Sequence, residues 1–289
     1  VLKRFRPFVV ISLALLLVSL CPSVSHADAQ PKNKGLFISP IREYVKIAAG
    51  KVERSSLTVA NITDKPVTVT LSVEQFSVAD YTYDYTFTAP KEDWVKLEST
   101  QLELKPGKSQ SVEYAVAVPK GATPGGHYFT LFASTSLESG GVASKVRAAT
   151  VLYVTVDGQL RRTSDVLKEN FPRLSFGGDI AFTMDVKNTG NTHFFTYTSG
   201  QLNGWTAKPK GEEVTHLLLP GTRRVIGATI QAPLLPGIYM ATYGFRTDDG
   251  QTMNRSKHVI YIPPWSLVIP LGIIWMSILL RKRYRLKQR

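Results

Sequence analysis

Short bursts of alternation between apolar and polar residues run along most of this chain. Ser56-Leu57-Thr58-Val59-Ala60 and Val67-Thr68-Val69-Thr70-Leu71-Ser72-Val73 put every second side chain on one face, with Asn61-Ile62-Thr63-Asp64-Lys65-Pro66 turning between them. Ser111 to Val118, Tyr128 to Ser134 and Val146 to Val156 continue the pattern. A polar connector, Arg161-Arg162-Thr163-Ser164-Asp165, comes next. Beyond it, Ala181-Phe182-Thr183-Met184-Asp185-Val186, Arg224 to Ala232, Tyr239 to Arg246 and Ser256 to Ile262 read as further strands. Period-two alternation rich in Val, Thr, Tyr and Phe, broken by Gly, Pro, Asn or Asp, predicts half-buried strands of sandwich type. The expected fold is all-β, with two tandem immunoglobulin-like β-sandwiches over 28–158 and 159–262.

A repeat reinforces the division. Leu102-Glu103-Leu104-Lys105-Pro106-Gly107 leads through an alternating run to Pro119 and Pro124-Gly125-Gly126-His127-Tyr128. Leu217-Leu218-Leu219-Pro220-Gly221 leads through another to Pro233 and Pro236-Gly237-Ile238-Tyr239. Tyr128 and Tyr239 read as corner tyrosines, whose hydroxyls tie a turn to the backbone. Asp248-Asp249-Gly250 reads as a hairpin turn rather than a calcium loop, whose acidic spacing is denser. The stretch from Asn61 to Gly107 is roughly a dozen residues longer than its counterpart from Asn188 to Gly221, and such insertions often carry unit-specific function. It contains Tyr81-Thr82-Tyr83-Asp84-Tyr85-Thr86-Phe87 and Trp94. As a strand, this segment would place Tyr81, Tyr83, Tyr85 and Phe87 on one face. That face is either an exposed platform for sugar rings or a partner, or the aromatic side of a core. The candidate ligand-binding residues are Tyr81, Tyr83, Tyr85 and Trp94.

The two ends break the alternation. Lys3, Arg4 and Arg6 precede the apolar run Phe8 to Leu20, and Ser25-His26-Ala27 supplies small residues, so 1–27 is expected to be a signal peptide. Leu20 argues against lipidation at Cys21. Val259 to Leu280 carries no charge, and 263–280 is expected to be a transmembrane helix followed by a basic cytoplasmic tail over 281–289. Tyr261, Trp265 and Tyr284 would mark its interfaces. The sandwiches would then face the outside of the cell.

This topology changes the meaning of the charge. Of the formal +13, much sits in the leader and the tail, so the high pI gives no reason to expect nucleic acid as a partner. Cys21 is the only cysteine and would leave with the leader, which excludes disulfides, thiol catalysis and cysteine-bound metal. A cysteine-free exported sandwich points to a bacterial envelope. His127, His193, His216 and His258 stand apart without metal-ligand spacing, and no nucleophile or metalloprotease motif occurs. Glu74, Asp80, Glu92 and Asp93 could be paired only by the fold. No enzyme activity, cofactor or metal is expected. Leu219-Pro220-Gly221-Thr222-Arg223 lacks the glycine a sortase motif needs after threonine and reads as a turn. Asn61-Ile62-Thr63 and Asn254-Arg255-Ser256 match the glycosylation sequon.

From about Phe37 to Ala133 the sequence resembles the peptidoglycan-binding first domain of the WxL-interacting proteins of Gram-positive surfaces. The resemblance rests on Ser39-Pro40, Leu57 through Val67, Trp94-Val95-Lys96-Leu97, Leu104-Lys105-Pro106-Gly107-Lys108-Ser109, and Val118-Pro119-Lys120 through Pro124-Gly125-Gly126-His127-Tyr128. It implies attachment to the envelope and association with other surface proteins. The expected function is therefore binding or adhesion at the cell surface. The first sandwich would grip cell-wall glycan (peptidoglycan) or a secreted surface protein, and the second would act partly as a spacer. The alternative is a chaperone-like or assembly protein that captures a partner's strand on an open sheet edge.

Overall fold

The computed structural model describes residues 35–139, 142–204 and 209–287, and it is built mainly of β-strands. In the first sandwich one sheet orders β1 (Leu36–Ser39), β3 (Val52–Asn61), β8 (Ser109–Ala117) and β6 (Val95–Leu97). The facing sheet orders β2 (Arg42–Ile47), β10 (Val142–Val156), β9 (Gly125–Ser139), β4 (Val67–Val78) and β5 (Tyr85–Thr88), with β7 (Gln101–Leu104) also on β4. In the second sandwich, β11 (Ser164–Asn170), β13 (Ile180–Asn188) and β16 (Arg223–Ile230) face a sheet of β12 (Leu174–Phe176), β18 (Thr252–Ile262), β17 (Gly237–Thr247), β14 (Phe194–Asn203) and β15 (Val214–Leu218). Each sandwich opens the same way. β1 runs antiparallel to β3 and β2 then runs parallel to β10, just as β11 pairs β13 and β12 runs parallel to β18.

Alternation builds the two cores. Leu57 and Val59 of β3, Val112 and Val116 of β8, and Leu152 and Val154 of β10 point inward in the first sandwich. Phe182 and Met184 of β13, Ile226 of β16 and Tyr243 of β17 do so in the second. Successive side chains on a strand point to opposite faces, so the register that buries one of these buries its whole set.

A fully buried asparagine closes the same turn in both sandwiches. Asn61 donates through Nδ2 to the carbonyls of Lys65 (2.8 Å) and Leu104 (2.9 Å) and accepts at Oδ1 from the Thr63 N–H (2.9 Å). Asn188 donates to the carbonyls of Thr192 and Leu218, both at 3.0 Å, and accepts from the Gly190 N–H at 2.8 Å. Its carbonyl takes the Gly221 N–H at 2.9 Å, as that of Asn61 takes Gly107 at the same distance. Gly107 (φ 67°) and Gly221 (φ 77°) turn in the left-handed region, which glycine enters without steric cost. The repeated leucine–proline–glycine segments are therefore turns clasped from within. The Asn61 sequon is closed as well, because its amide is already used inside the protein.

The C-terminal helix departs from the expected span over 263–280. α1 runs Trp265–Lys287, so Pro263 and Pro264 stand outside it and it continues into the basic residues. The Pro263 carbonyl accepts the N–H and hydroxyl of Ser266, which sets the helix start after the prolines, and Arg, Lys and Leu favour helix beyond 280. Among the described residues no helix is long and apolar enough to cross a membrane. The leader expected over 1–27 lies outside the described residues.

Candidate functional site

The inserted aromatic segment is not a continuous strand. Only Tyr85–Thr88 pairs with β4, while Tyr81 (φ 67°) and Tyr83 (φ 60°) sit in a turn in the left-handed region that bulky side chains rarely adopt. The turn is held from the second sandwich. Asp80 Oδ1 accepts the Arg223 N–H at 2.8 Å, and the Tyr81 N–H reaches the Arg223 carbonyl at 2.9 Å. The Tyr81 hydroxyl donates to Asp185 Oδ2 at 3.1 Å. Tyr83 reaches furthest. Its hydroxyl lies 2.9 Å from Thr222 Oγ1 and accepts the Leu219 N–H at 3.2 Å, and the Arg224 guanidinium lies 4.3 Å over its ring. Burial pushes the Tyr83 phenol up, so this hydroxyl stays protonated at neutral pH.

Behind this arm the two sandwiches share a small core. Phe76, Tyr153 and Leu219 are buried together, with Tyr83, Tyr128, Val151 and Leu217 against them. Tyr44 stacks on Tyr153 at 4.9 Å, and His193 of the second sandwich packs 5.2 Å from the Tyr153 ring. His193 is held down to about 4 by burial first and by Arg162 second, so it is neutral, and its Nδ1 shares a hydrogen bond with the Tyr128 hydroxyl at 3.3 Å. Asn191 completes the joint. Its amide nitrogen donates to the carbonyls of Pro124 and Gln159, both at 3.0 Å, and its own carbonyl takes the Gly126 N–H at 2.9 Å. A β-carbon at Gly125 would come within 2.5 Å of that carbonyl, so the glycine permits the approach. The second sandwich is thus docked on the first rather than spaced from it.

The four candidate residues do not come together as one surface. Tyr81 and Tyr83 grip the second sandwich. Tyr85 is half-exposed, stacked on Phe87 at 5.9 Å with its hydroxyl 3.5 Å from that of Tyr153. Trp94 is buried in the first core against His127, ring centres 4.3 Å apart. The carboxylates noted with them all take partners within the protein. Glu74 pairs with Arg147, Glu92 with His127 at 3.0 Å and Asp93 with Lys96, while Asp80 serves the joint. Of the corner tyrosines, Tyr239 binds the Leu235 carbonyl at 2.8 Å within its own turn, whereas Tyr128 turns to the other sandwich. No group of three or more His, Cys, Asp or Glu among the described residues could hold a metal ion.

A feature the sequence did not single out lies on β10. Residues Val151 to Val156 are paired on both sides, by β9 and by β2. Residues 142–150 pair with β9 alone among the described residues. β2 stops where the chain crosses to the other sheet at Ser39-Pro40-Ile41. Val151 still gives its N–H to the Ile41 carbonyl at 2.9 Å, and strand alternation puts the N–H groups of Ala149 and Arg147 on that same open side. The open half is not apolar, since Arg147 lies 3.6 Å over the Phe132 ring and pairs with Glu74.

No protein-family model matches the chain, and no curated protein does. Among solved structures it is similar to the class 5 fimbriae chaperone CfaA, with 9% identity and a TM-score of 0.44 over 78% of this chain and 99% of that one. It is also similar to a chain of the CsuC–CsuE chaperone–tip adhesion subunit pre-assembly complex from Acinetobacter baumannii. There the identity is 12% and the TM-score 0.40, over 79% of this chain and 98% of that one. A Porphyromonas gingivalis W83 protein of unknown function shares 12% identity and a TM-score of 0.31 over 78% and 99%.

Proposed function

We propose that the protein is a non-catalytic bacterial envelope protein, held at a membrane by α1, that takes up an extended strand from a partner along the open half of β10. One observation carries this reading: among the described residues β10 is paired on both sides over 151–156 and on one side over 142–150. An unpaired sheet edge presents a row of backbone donors and acceptors, and strand addition satisfies them without a side-chain pocket. A rigid joint suits the task, because it keeps the first sandwich at a fixed angle to its membrane-bound neighbour. The membrane part of the proposal draws on the helix itself. Leu267, Ile269, Ile273, Trp275 and Ile278 of its first four turns are all exposed, and such apolar side chains favour a nonpolar surrounding. The resemblance to WxL-interacting proteins makes another surface protein the partner class.

The test is Ala149→Pro. Proline removes an N–H on the open side, leaves the bonds to β9 intact, and blocks strand addition. The full chain and the variant, purified from native membranes, should have similar thermal stability. The wild type alone should retain a partner and show slowed amide exchange at Lys145, Arg147 and Ala149. Equal retention by both forms, or no protection at these amides, defeats the proposal.

Glycan binding keeps one foothold, the exposed stacked pair Tyr85 and Phe87 on the outer side of β5. Sedimentation with purified peptidoglycan should then fall severalfold in Tyr85→Ala, and unchanged sedimentation removes this second reading.

A further inference from the structure

One face of the second sandwich changes character along its length. On the outward side of β17, β18 and β12, register partners form rows across the sheet. One row in from the end pair of Ile262 and Phe176, the sheet near α1 holds Ile238, Ile260 and Leu174, exposed to 70%, 46% and 45%. The next rows along β17 and β18 pair Met240 with His258, then Thr242 with Ser256, then Gly244 with Asn254, and finally Arg246 with Thr252. The inward side chains Tyr239, Ala241, Tyr243 and Val259 are buried throughout, so folding fixes the pattern on one side only. Beside the apolar row stand Phe176, 64% exposed and paired with Ile262, and Leu234, 84% exposed in the turn before β17.

This apolar end adjoins the start of the helix. Ile262 closes β18 and accepts the Gly177 N–H at 3.1 Å, and α1 starts three residues later. Exposed aliphatic and aromatic side chains therefore continue from the sheet face into the exposed apolar side chains of the first part of α1. A contiguous exposed apolar patch marks a surface that something covers. Here polarity rises with distance from α1, which is the profile of a surface dipping into a bilayer at one end. A protein partner would not impose a gradient referenced to the helix.

We infer that the helix-proximal end of this sheet, around Ile238, Ile260, Leu174 and Phe176, is inserted in the headgroup region of a phospholipid bilayer. The inference rests on the proposed membrane association of α1 and adds a second contact, which sets the tilt of the sandwiches over the surface.

The test uses full-length protein in a Cys21→Ser background with an environment-sensitive fluorophore at one introduced cysteine: Ile238→Cys, Arg246→Cys or Ile273→Cys. Each is reconstituted into vesicles of phosphatidylethanolamine and phosphatidylglycerol, with and without brominated acyl chains. The inference predicts blue-shifted, bromine-quenched emission at 238 and 273, and water-like, unquenched emission at 246. Quenching at 273 with water-like emission at 238 overturns the inference and leaves the helix in the membrane. Water-like emission at both overturns the helix reading as well. Blue-shifted but unquenched emission at 238, together with disulfide crosslinking between copies of the unlabelled Ile238→Cys protein, assigns the patch to a second copy of the chain and overturns the inference.

Discussion

Tyr128 and Tyr239 occupy matching places in the two sandwiches, near the start of the strand after a proline–glycine turn, yet their hydroxyls point to different bodies. Tyr239 ties down its own turn at Leu235. Tyr128 reaches His193 in the neighbour. The leucine–proline–glycine turns diverge in the same sense. Gly107 and Gly221 both have open space around them, but the turn at Leu219 to Thr222 receives the Tyr83 hydroxyl. The asparagine clasp beneath both turns is unchanged. A duplicated module has kept its folding device in both copies, while one copy's corner and insertion, and the other's turn, have become the two halves of a joint.

The largest expected effect breaks the shared part. Asn61→Ala and Asn188→Ala each remove three hydrogen bonds that are buried or partly buried, so each should cost roughly 2–4 kcal/mol. Urea unfolding followed by residue-resolved hydrogen exchange should show the loss in the mutated sandwich in each case. Asn188→Ala should also speed exchange at the Leu219 amide, since its turn carries the joint. If Asn61→Ala loosens that amide equally, the joint and the first turn are not separable and the comparison fails.

Much of this was legible beforehand, and the physical reason differs from residue to residue. Alternation placed the strands because a half-buried sheet enforces period two, and Asn61 and Gly107 were visible as turns because few residue types satisfy such geometry. Tyr81 and Tyr83 misled. Their spacing fits a strand, but a strand needs a backbone beside it, and β4 offers one only to Tyr85–Thr88. Residues 80–83 are bonded instead to Leu219, Thr222 and Arg223, more than a hundred positions away, and no local pattern encodes that. Asp80 and the pair Arg223-Arg224 were a usable hint of complementary charge. The open half of β10 was hidden for a related cause. It exists because the chain leaves that sheet near Pro40, and where an edge strand stops is a tertiary decision.

A smaller effect sharpens the comparison through pH, because His193 belongs to the joint and the second core has no counterpart there. Its pKa is about 4 in the folded protein against an ordinary 6.5, so the docked state binds fewer protons than the opened one. Joint stability is therefore complete above about 6.5 and falls as the pH drops toward 4, by roughly 3 kcal/mol in total. Exchange at the Leu219 amide should accelerate across that window, and His193→Phe should flatten the response. An NMR titration of His193 near 6.5 would remove the effect at its source.

The finest division comes from the tyrosines themselves. Tyr239→Phe deletes a 2.8 Å bond inside one sandwich and should lower that sandwich's stability by about 1 kcal/mol, with no change at the joint. Tyr128→Phe deletes a longer bond between sandwiches, so about 0.5–1 kcal/mol should appear only in opening of the joint. It should also move the His193 pKa, because the hydroxyl shares a hydrogen bond with a titrating ring nitrogen. The paired measurement is His193 titration in both variants, alongside their urea midpoints. A shifted His193 pKa in Tyr128→Phe, set against a lowered midpoint in Tyr239→Phe, separates a tyrosine that holds a fold from one that holds two folds together. Matching behaviour in the two variants would mean that the corner position dictates the tyrosine's role, whatever its hydroxyl touches.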